Sequence, residues 1–400
     1  MSKPTKLPEG WKLVSLGEVG TLINGDRGKN YPSQKDFVDN GVPFINAGHI
    51  QNGEIDFESM NFISRKRFDL LGSGKVKSGD ILYCLRGSLG KTAIIKDIQE
   101  GAIASSLVII RPSEQIRTDY FYRYLASPIG QAEIYKYDNG SSQPNLSAQS
   151  LKQYRLPLPP LEEQRRIAAI LDKADGVRRK RKEAIRLTEE LLKSTFLEMF
   201  GDPVTNPKGW EIAKLGDFGK ILTGNTPPRS VSENYGDEIE WIKSDNITTP
   251  EHFLTEAEEK LSAKGKKIAR TVPNGSVLVT CIAGSRSSIG RAALTDREVA
   301  FNQQINAVVP NSDVDPYFLY GQLFVAQHLV QAQSTDSMKG MVNKSKFSSI
   351  EFIKPPSQKQ QKFGKWFLGF HRYYMNLIGG EEQSENLFNS LLQRAFRGEL

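Results

Sequence analysis

Cysteine is almost missing from this chain: 400 residues contain two, Cys84 and Cys281, far apart. That excludes a disulfide framework and a cysteine-based zinc cluster. Histidine is scarce too, and His49, His252, His328 and His371 are scattered without metal-ligand spacing. No apolar run reaches the roughly 18 residues that a membrane span needs. The opening MSKPTKLP lacks the apolar core of a secretory signal. A reducing cytoplasm, with no membrane partner, is the expected setting.

Signatures of catalysis are missing as well. Arg86-Gly87-Ser88-Leu89-Gly90-Lys91-Thr92 looks briefly like a phosphate-binding loop, but that pattern needs glycine where Leu85 stands. Its counterpart in the second half, from Gly284 to Ala292, also loses the lysine and the hydroxyl residue. Two readings remain: a plain hairpin turn, or a Gly/Ser loop touching phosphates or base edges. Asn225-Thr226-Pro227-Pro228 is not the motif of amino methyltransferases, since no aromatic residue follows and no glycine-rich cofactor loop accompanies it. Glu258-Glu259-Lys260 alone is too common to signal a nuclease. No catalytic residues, metal site or cofactor are expected within the chain.

What is present is a globular composition, 38% hydrophobic and 25% charged, with length for two or three domains. The net charge of +7 is a mild bias toward polyanions. One basic block stands out, Arg178-Arg179-Lys180-Arg181-Lys182. Such a block suits nucleic-acid phosphates, a protein partner or plain solvation.

The chain also repeats itself. PEGWKLVSLGEVGTLING (8–25) returns as PKGWEIAKLGDFGKILTG (207–224). Pro8, Gly10, Trp11, Leu16, Gly17, Gly20 and Gly25 recur without a gap as Pro207, Gly209, Trp210, Leu215, Gly216, Gly219 and Gly224. VKSGDILYCLRGSLGKTAII (76–95) parallels VPNGSVLVTCIAGSRSSIGRAAL (272–294), and Pro159-Pro160 with Gln164 parallels Pro355-Pro356 with Gln360. A unit of this length is a domain pair, not a solenoid.

After each Pro-Pro the pattern turns helical. One stripe runs Ile167, Leu171, Ala174, Arg178, Arg181, Ile185, Thr188, Leu192, Thr195, Met199, a heptad seam with a polar middle. The other runs Phe363, Phe367, Phe370, Tyr374, Leu377, Glu381, Ser384, Phe388, Leu391, Ala395. Glu162 and Glu163 suit a helix start and Gly201 with Pro203 a stop, while Ser357 and Gln360 read as a capping box. Gly379-Gly380 is expected to kink the second helix. The first helix would be roughly 57 Å long at about 1.5 Å per residue. It carries the chain away and the second can only return, so an antiparallel coiled coil is expected. A span of about 50 Å corresponds to ~15 base pairs.

Between the helices lie short runs rich in β-formers: Ile81 to Leu85, Ser106 to Ile110, Val277 to Cys281 and Ile305 to Val309. Tyr120 to Leu125 and Tyr317 to Phe324 read as short helices. The expected fold is therefore two α/β (α+β) domains, 1–158 and 201–354, separated by long antiparallel helices at 159–200 and 355–400.

In this arrangement the chain resembles the specificity subunit of type I restriction–modification enzymes. The phrases that carry the resemblance are LPEGW (7–11), NPKGW (206–210), GSSQPNLS (140–147), LPLPPLEEQRRIAAIL (156–171), FLEMFGDP (196–203) and LLQRAFRGEL (391–400). KPPSQKQQKF (354–363) departs from the usual acidic form of the junction, and STDSMKGMVNKS (334–345) replaces a second GSSQPNLS. The resemblance implies two target-recognition domains reading a bipartite double-stranded DNA target. It further implies two modification subunits bringing S-adenosylmethionine chemistry on adenine, and a restriction subunit bringing ATP- and Mg-dependent cleavage. The competing reading is a coiled-coil adaptor with two protein-binding domains.

Base reading calls for bidentate side chains. The candidates in the first half are Arg27, Lys29, Asn30, Tyr31, Arg86, Lys91, Ser142, Gln143 and Asn145. In the second they are Asn225, Arg229, Lys243, Ser244, Arg286, Arg291, Lys339, Asn343 and Lys344.

Overall fold

The computed structural model describes residues 7–96, 98–137, 145–247, 251–335 and 340–400. Its contacts divide the chain into two units, Met1–Lys180 with Glu381–Leu400, and Arg181–Gly380. Each unit holds a mixed globule and a stretch of both long helices, Leu161–Phe200 and Ser357–Arg397.

In the first unit, Thr92–Ile94, Ile81–Cys84, Leu107–Pro112 and Gly20–Asn24 form an antiparallel sheet in that order. A second sheet runs Phe37–Val38, Asn61–Ile63, Val42–Ile45, Gly101–Ile103, Lys75–Val76, with its parallel pair at Val42–Ile45 and Gly101–Ile103. Lys12–Ser15 pairs with Arg155–Leu158, so the entry and exit of the globule are zipped together.

The second unit repeats this plan. Gly219–Thr223, Ile305–Pro310, Val277–Thr280 and Ala292–Leu294 form one sheet. Tyr235–Ile242 and Val299–Phe301 make the parallel pair of the other. Ile212–Lys214 pairs with Glu351–Ile353.

The repeated sequence residues have repeated jobs. Leu16 and Leu215 are buried, and their N–H groups donate to Tyr154 and Ile350 carbonyls, each at 2.8 Å. Gly25 and Gly224 recur because backbone passes where a side chain would be: a Cβ would lie 2.8 Å from the Ala104 oxygen and 2.1 Å from that of Asn302.

In both units the helix segments run antiparallel and their apolar faces join the globule's core. Ile167 and Leu171 share the first core with Phe388, Leu392 and Phe396. Leu192, Phe196 and Phe200 share the second with Phe363, Phe367 and Tyr374. The seam differs from expectation at its end. Phe196 and Phe200 are fully buried, while Thr195 and Met199 are only half-buried. The two rings pack on Phe318 of the globule as well as on Phe363, so the buried face follows two neighbours rather than one.

The expected capping box also gives way. Gln360 turns from Ser357 to accept the Asp315 N–H and donate to the Pro355 carbonyl. The second helix passes unbroken through Gly379-Gly380. Gly380 makes room for Arg181, whose guanidinium donates to its carbonyl oxygen. A Cβ at Gly379 meets nothing within 4 Å. Gly379→Ala is therefore expected to raise stability by about 0.8–1 kcal/mol in chemical denaturation. Gly380→Ala should give no such gain, because its methyl would displace Arg181.

Among the described residues no helix is long and apolar enough to cross a membrane.

Candidate nucleic-acid interface

The phosphate-loop look-alike is a hairpin turn. It links Ile81–Cys84 to Thr92–Ile94, with Gly87 and Gly90 at φ +77° and +76°, where a side chain would be strained. From the hairpin's base the structure gathers several candidates. Leu85 donates to Ser106, and Leu146 donates back to Leu85, placing Arg86 beside Asn145. Arg86 Nε donates to Asn145 Oδ1 at 3.3 Å, and both residues are exposed. Arg27 reaches the Ser105 carbonyl at 3.4 Å, and the Tyr31 hydroxyl accepts the Ser105 N–H at 3.4 Å. Arg27, Tyr31, Arg86 and Asn145 thus surround Ser105 and Ser106. Lys91 points elsewhere, with Nζ on the Ala47 carbonyl at 3.2 Å. Lys29 is exposed. Ser142, Gln143 and Lys339 lie outside the described residues.

Two asparagines are committed to the scaffold. Asn30 donates to the Leu70 carbonyl at 3.0 Å. Asn225 donates to Ile268 at 2.9 Å and accepts from Arg270 at 2.7 Å, so both ends of its amide are used on backbone. Its counterpart Asp26 does only the accepting part, taking the N–H groups of Gly28 and Gly72, and the donation to the helix end falls to Asn30. Asn343 caps the short helix Lys344–Ser348 through the Lys346 N–H, while Lys344 is exposed on that helix.

In the second unit Arg229 pairs with both oxygens of Glu259 at 2.9 and 3.1 Å and lies over Tyr235 and Trp241. Lys243 meets the same carboxylate at 2.6 Å. Arg229 and then Lys243 hold the Glu259 carboxyl below its usual value, although partial burial opposes them. One anion therefore serves two cations. Ser244 begins a short 3-10 turn beside Lys243. Arg286 and Arg291 are exposed on the counterpart hairpin. Arg291 also borders a cavity of about 610 Å³, together with Glu189, Lys193, His252 and Tyr320.

The equivalent of the Arg86–Asn145 pair is different in character. Cys281 donates to Gln304 and Val342 donates to Cys281, repeating the Leu85 pattern. The next residues pair as Ile282 with Met341. The place of Arg86 is thus taken by Ile282, not Arg286, and Asn145 by Met341. Beside them Thr226 hydrogen-bonds Gln303, the counterpart of Ser105. Thr226, Ile282, Gln303 and Met341, which stand at the equivalent place, are not among the sequence candidates. The signal in the sequence is the alignment of 105–106 with 303–304; an apolar residue carries no hydrogen-bonding pattern that marks it as a base reader.

The basic block is largely spoken for. Asp175, buried on the first long helix, takes Arg123 at 3.0 Å, Arg178 at 2.7 Å and Arg179 at 3.1 Å. Arg178 also meets Glu385, and Arg179 meets Glu54. Burial pushes the Asp175 carboxyl up, but the three guanidiniums outweigh it and leave it below the usual carboxylate value. The position four turns into the second helix is instead aromatic: His371 stacks near Phe367, and His252 sits among Tyr320, Phe370 and Tyr374. Burial, with His371 nearby, pushes His252 down to about 3. Among the described residues no group of histidine, cysteine and carboxylate side chains could hold a metal ion.

The comparisons with known proteins agree with this duplicated plan. The sequence model described as "Type I restriction modification DNA specificity domain" matches twice, at residues 8–187 and 207–381. The HindI specificity subunit of Haemophilus influenzae is 24% identical, over 98% of this chain and 99% of that protein. The EcoKI specificity subunit of Escherichia coli is 22% identical, over 99% and 90%. The crystal structure of a type I restriction–modification S subunit from M. genitalium superposes with TM-score 0.61 at 14% identity, covering 99% of this chain and 98% of that one. At that identity the likeness concerns the fold.

Proposed function

Because the chain belongs to the type I restriction–modification DNA specificity family, we propose that it reads a split double-stranded DNA target, one half-site per unit, for partner subunits that carry the chemistry. The observation that carries this reading is the pair of equivalent surface clusters at the hairpin bases, one in each globule. In the first unit Arg86 and Asn145 offer guanine- and adenine-type hydrogen bonding. In the second, Ile282 and Met341 offer an apolar surface suited to a thymine methyl group, with Gln303 and Thr226 as polar neighbours. Two different clusters predict an asymmetric target.

The chain itself would supply no cofactor. S-adenosylmethionine, ATP and Mg would be bound by two modification subunits and by restriction subunits. The long helices offer them exposed apolar side chains: Val177 and Leu387 in the first unit, Leu187, Leu191 and Tyr373 in the second. The adaptor reading has no observation in its favour that the DNA reading lacks.

The test is selection of bound duplexes from a random pool by the chain assembled with its modification partner. A split motif is expected, with steep salt dependence. In Arg86→Ala one position of one half-site should relax, by about 1–3 kcal/mol of discrimination, with the other half-site unchanged. Equal loss in both half-sites, or one continuous motif, would contradict the assignment.

A further inference from the structure

In each unit one buried glutamine ties the globule to the long helix, by two equivalent hydrogen bonds and, in the first unit, a third. Gln164 and Gln360 follow the Pro-Pro pairs by the same step and are 0% and 1% exposed. In the first unit the amide oxygen of Gln164 accepts the Arg117 N–H at 2.8 Å. Its nitrogen donates to the Pro159 carbonyl at 2.9 Å and the Gln115 carbonyl at 3.0 Å. In the second unit Gln360 accepts the Asp315 N–H at 3.0 Å and donates to Pro355 at 2.7 Å.

The groups they grip are not arbitrary. Arg117 and Asp315 are the residues from which the short helices Thr118–Ala126 and Pro316–Val325 start. Those helices place Tyr120, Phe121, Phe318 and Leu319 in the cores of the globules. Each glutamine thus joins the first turn of a long helix to the helix that anchors the reading globule. The joint needs a donor and an acceptor on one side chain. A carboxamide has both; a carboxylate has only acceptors, and a thioether is at most a weak one. Leucine or methionine would fill the space just as well if packing were all that mattered.

We propose that Gln164 and Gln360 are positioning residues that fix the angle of each reader on its helix, and so the length of unread DNA that the complex accepts between half-sites. The proposal rests on the DNA-reading function above. One base pair shifts a half-site by about 3.4 Å and turns it by roughly a tenth of a helical turn. A stiff joint rejects that displacement, whereas a loose one follows it. Neither glutamine is placed among the base-reading side chains, so their loss should leave half-site preference alone.

The experiment uses the full chain assembled with its modification partner, and duplexes that carry the selected half-sites with the spacer lengthened or shortened by one base pair. Wild type, Gln164→Glu, Gln164→Met and Gln360→Met are compared. Each variant is expected to keep the same half-site bases and to lose about tenfold in discrimination against the altered spacers. Gln164→Met, uncharged and similar in length, gives the same readout should Gln164→Glu fail to fold. Unchanged spacer discrimination in the methionine variants, with a lowered melting temperature, would overturn the proposal by showing that the glutamines only add stability. If wild type itself selects no split motif, the DNA-reading function fails and this inference falls with it.

Discussion

Phe396→Ala is expected to destabilise the first unit by about 3–5 kcal/mol while leaving the second unit's protection against hydrogen exchange unchanged. Phe396 is near the end of the chain, yet its ring is buried against Tyr120 and Tyr124 at 5.5 and 5.4 Å. The last twenty residues therefore belong to the core of the N-terminal globule rather than to the one they follow in sequence. Phe196→Ala is the mirror experiment. Its ring fills the second core among Phe200, Phe318 and Phe363, and the loss should appear only there. If Phe396→Ala exposed amides of residues 215–353 instead, the division into units would be wrong.

The second large effect concerns charge. Asp175→Asn should cost about 3 kcal/mol, because it leaves Arg123, Arg178 and Arg179 without their shared buried anion. The low end of the usual range applies, since Arg179 is partly exposed and rehydrates. The pH dependence follows from the direction of the shift. The folded carboxyl sits below its ordinary value, so its contribution is complete above about pH 4 and disappears as pH falls through the lower folded value. Wild type and Asp175→Asn should therefore converge in acid. His252 acts independently in the second unit. It is buried neutral, so stability should fall by about 1.4 kcal/mol per pH unit from about 6.5 down toward 3, in both proteins. Thermal melts across that range check both slopes.

The duplication, the Pro-Pro junctions and the helical stripes were legible because each rests on local periodicity or on glycines with a steric task. Four strands, at Ile81–Cys84, Leu107–Pro112, Val277–Thr280 and Ile305–Pro310, and two short helices, Thr118–Ala126 and Pro316–Val325, were legible to within a residue or two for the same reason, whereas the two- and three-residue strands carry too short a pattern to read. The site was harder to read. Asn225 looked like a free base reader but is spent on the Ile268 and Arg270 backbone, and Arg229 is spent on Glu259. Nothing in the spacing of either residue announces such long-range partners. In sequence the basic block at 178–182 suits DNA, partner subunits or solvent equally, because Asp175, Glu54 and Glu385 meet it only after folding. Ile282 and Met341 were invisible for another reason: an apolar residue in a turn-rich stretch carries no mark of surface exposure. The spacing of Gln360 from Ser357 suits a local capping role, whereas its partner Asp315 is distant in sequence.

The way the units divide the chain also sets an order of events at the ribosome. Arg181–Gly380 is one continuous stretch and can complete its core as soon as it has emerged. The first globule, although made before the second, waits for Phe388, Leu392 and Phe396. Until those three residues emerge it exposes an unfilled apolar seam along Ile167 and Leu171, and so of the two globules the one synthesised earlier is the later to mature.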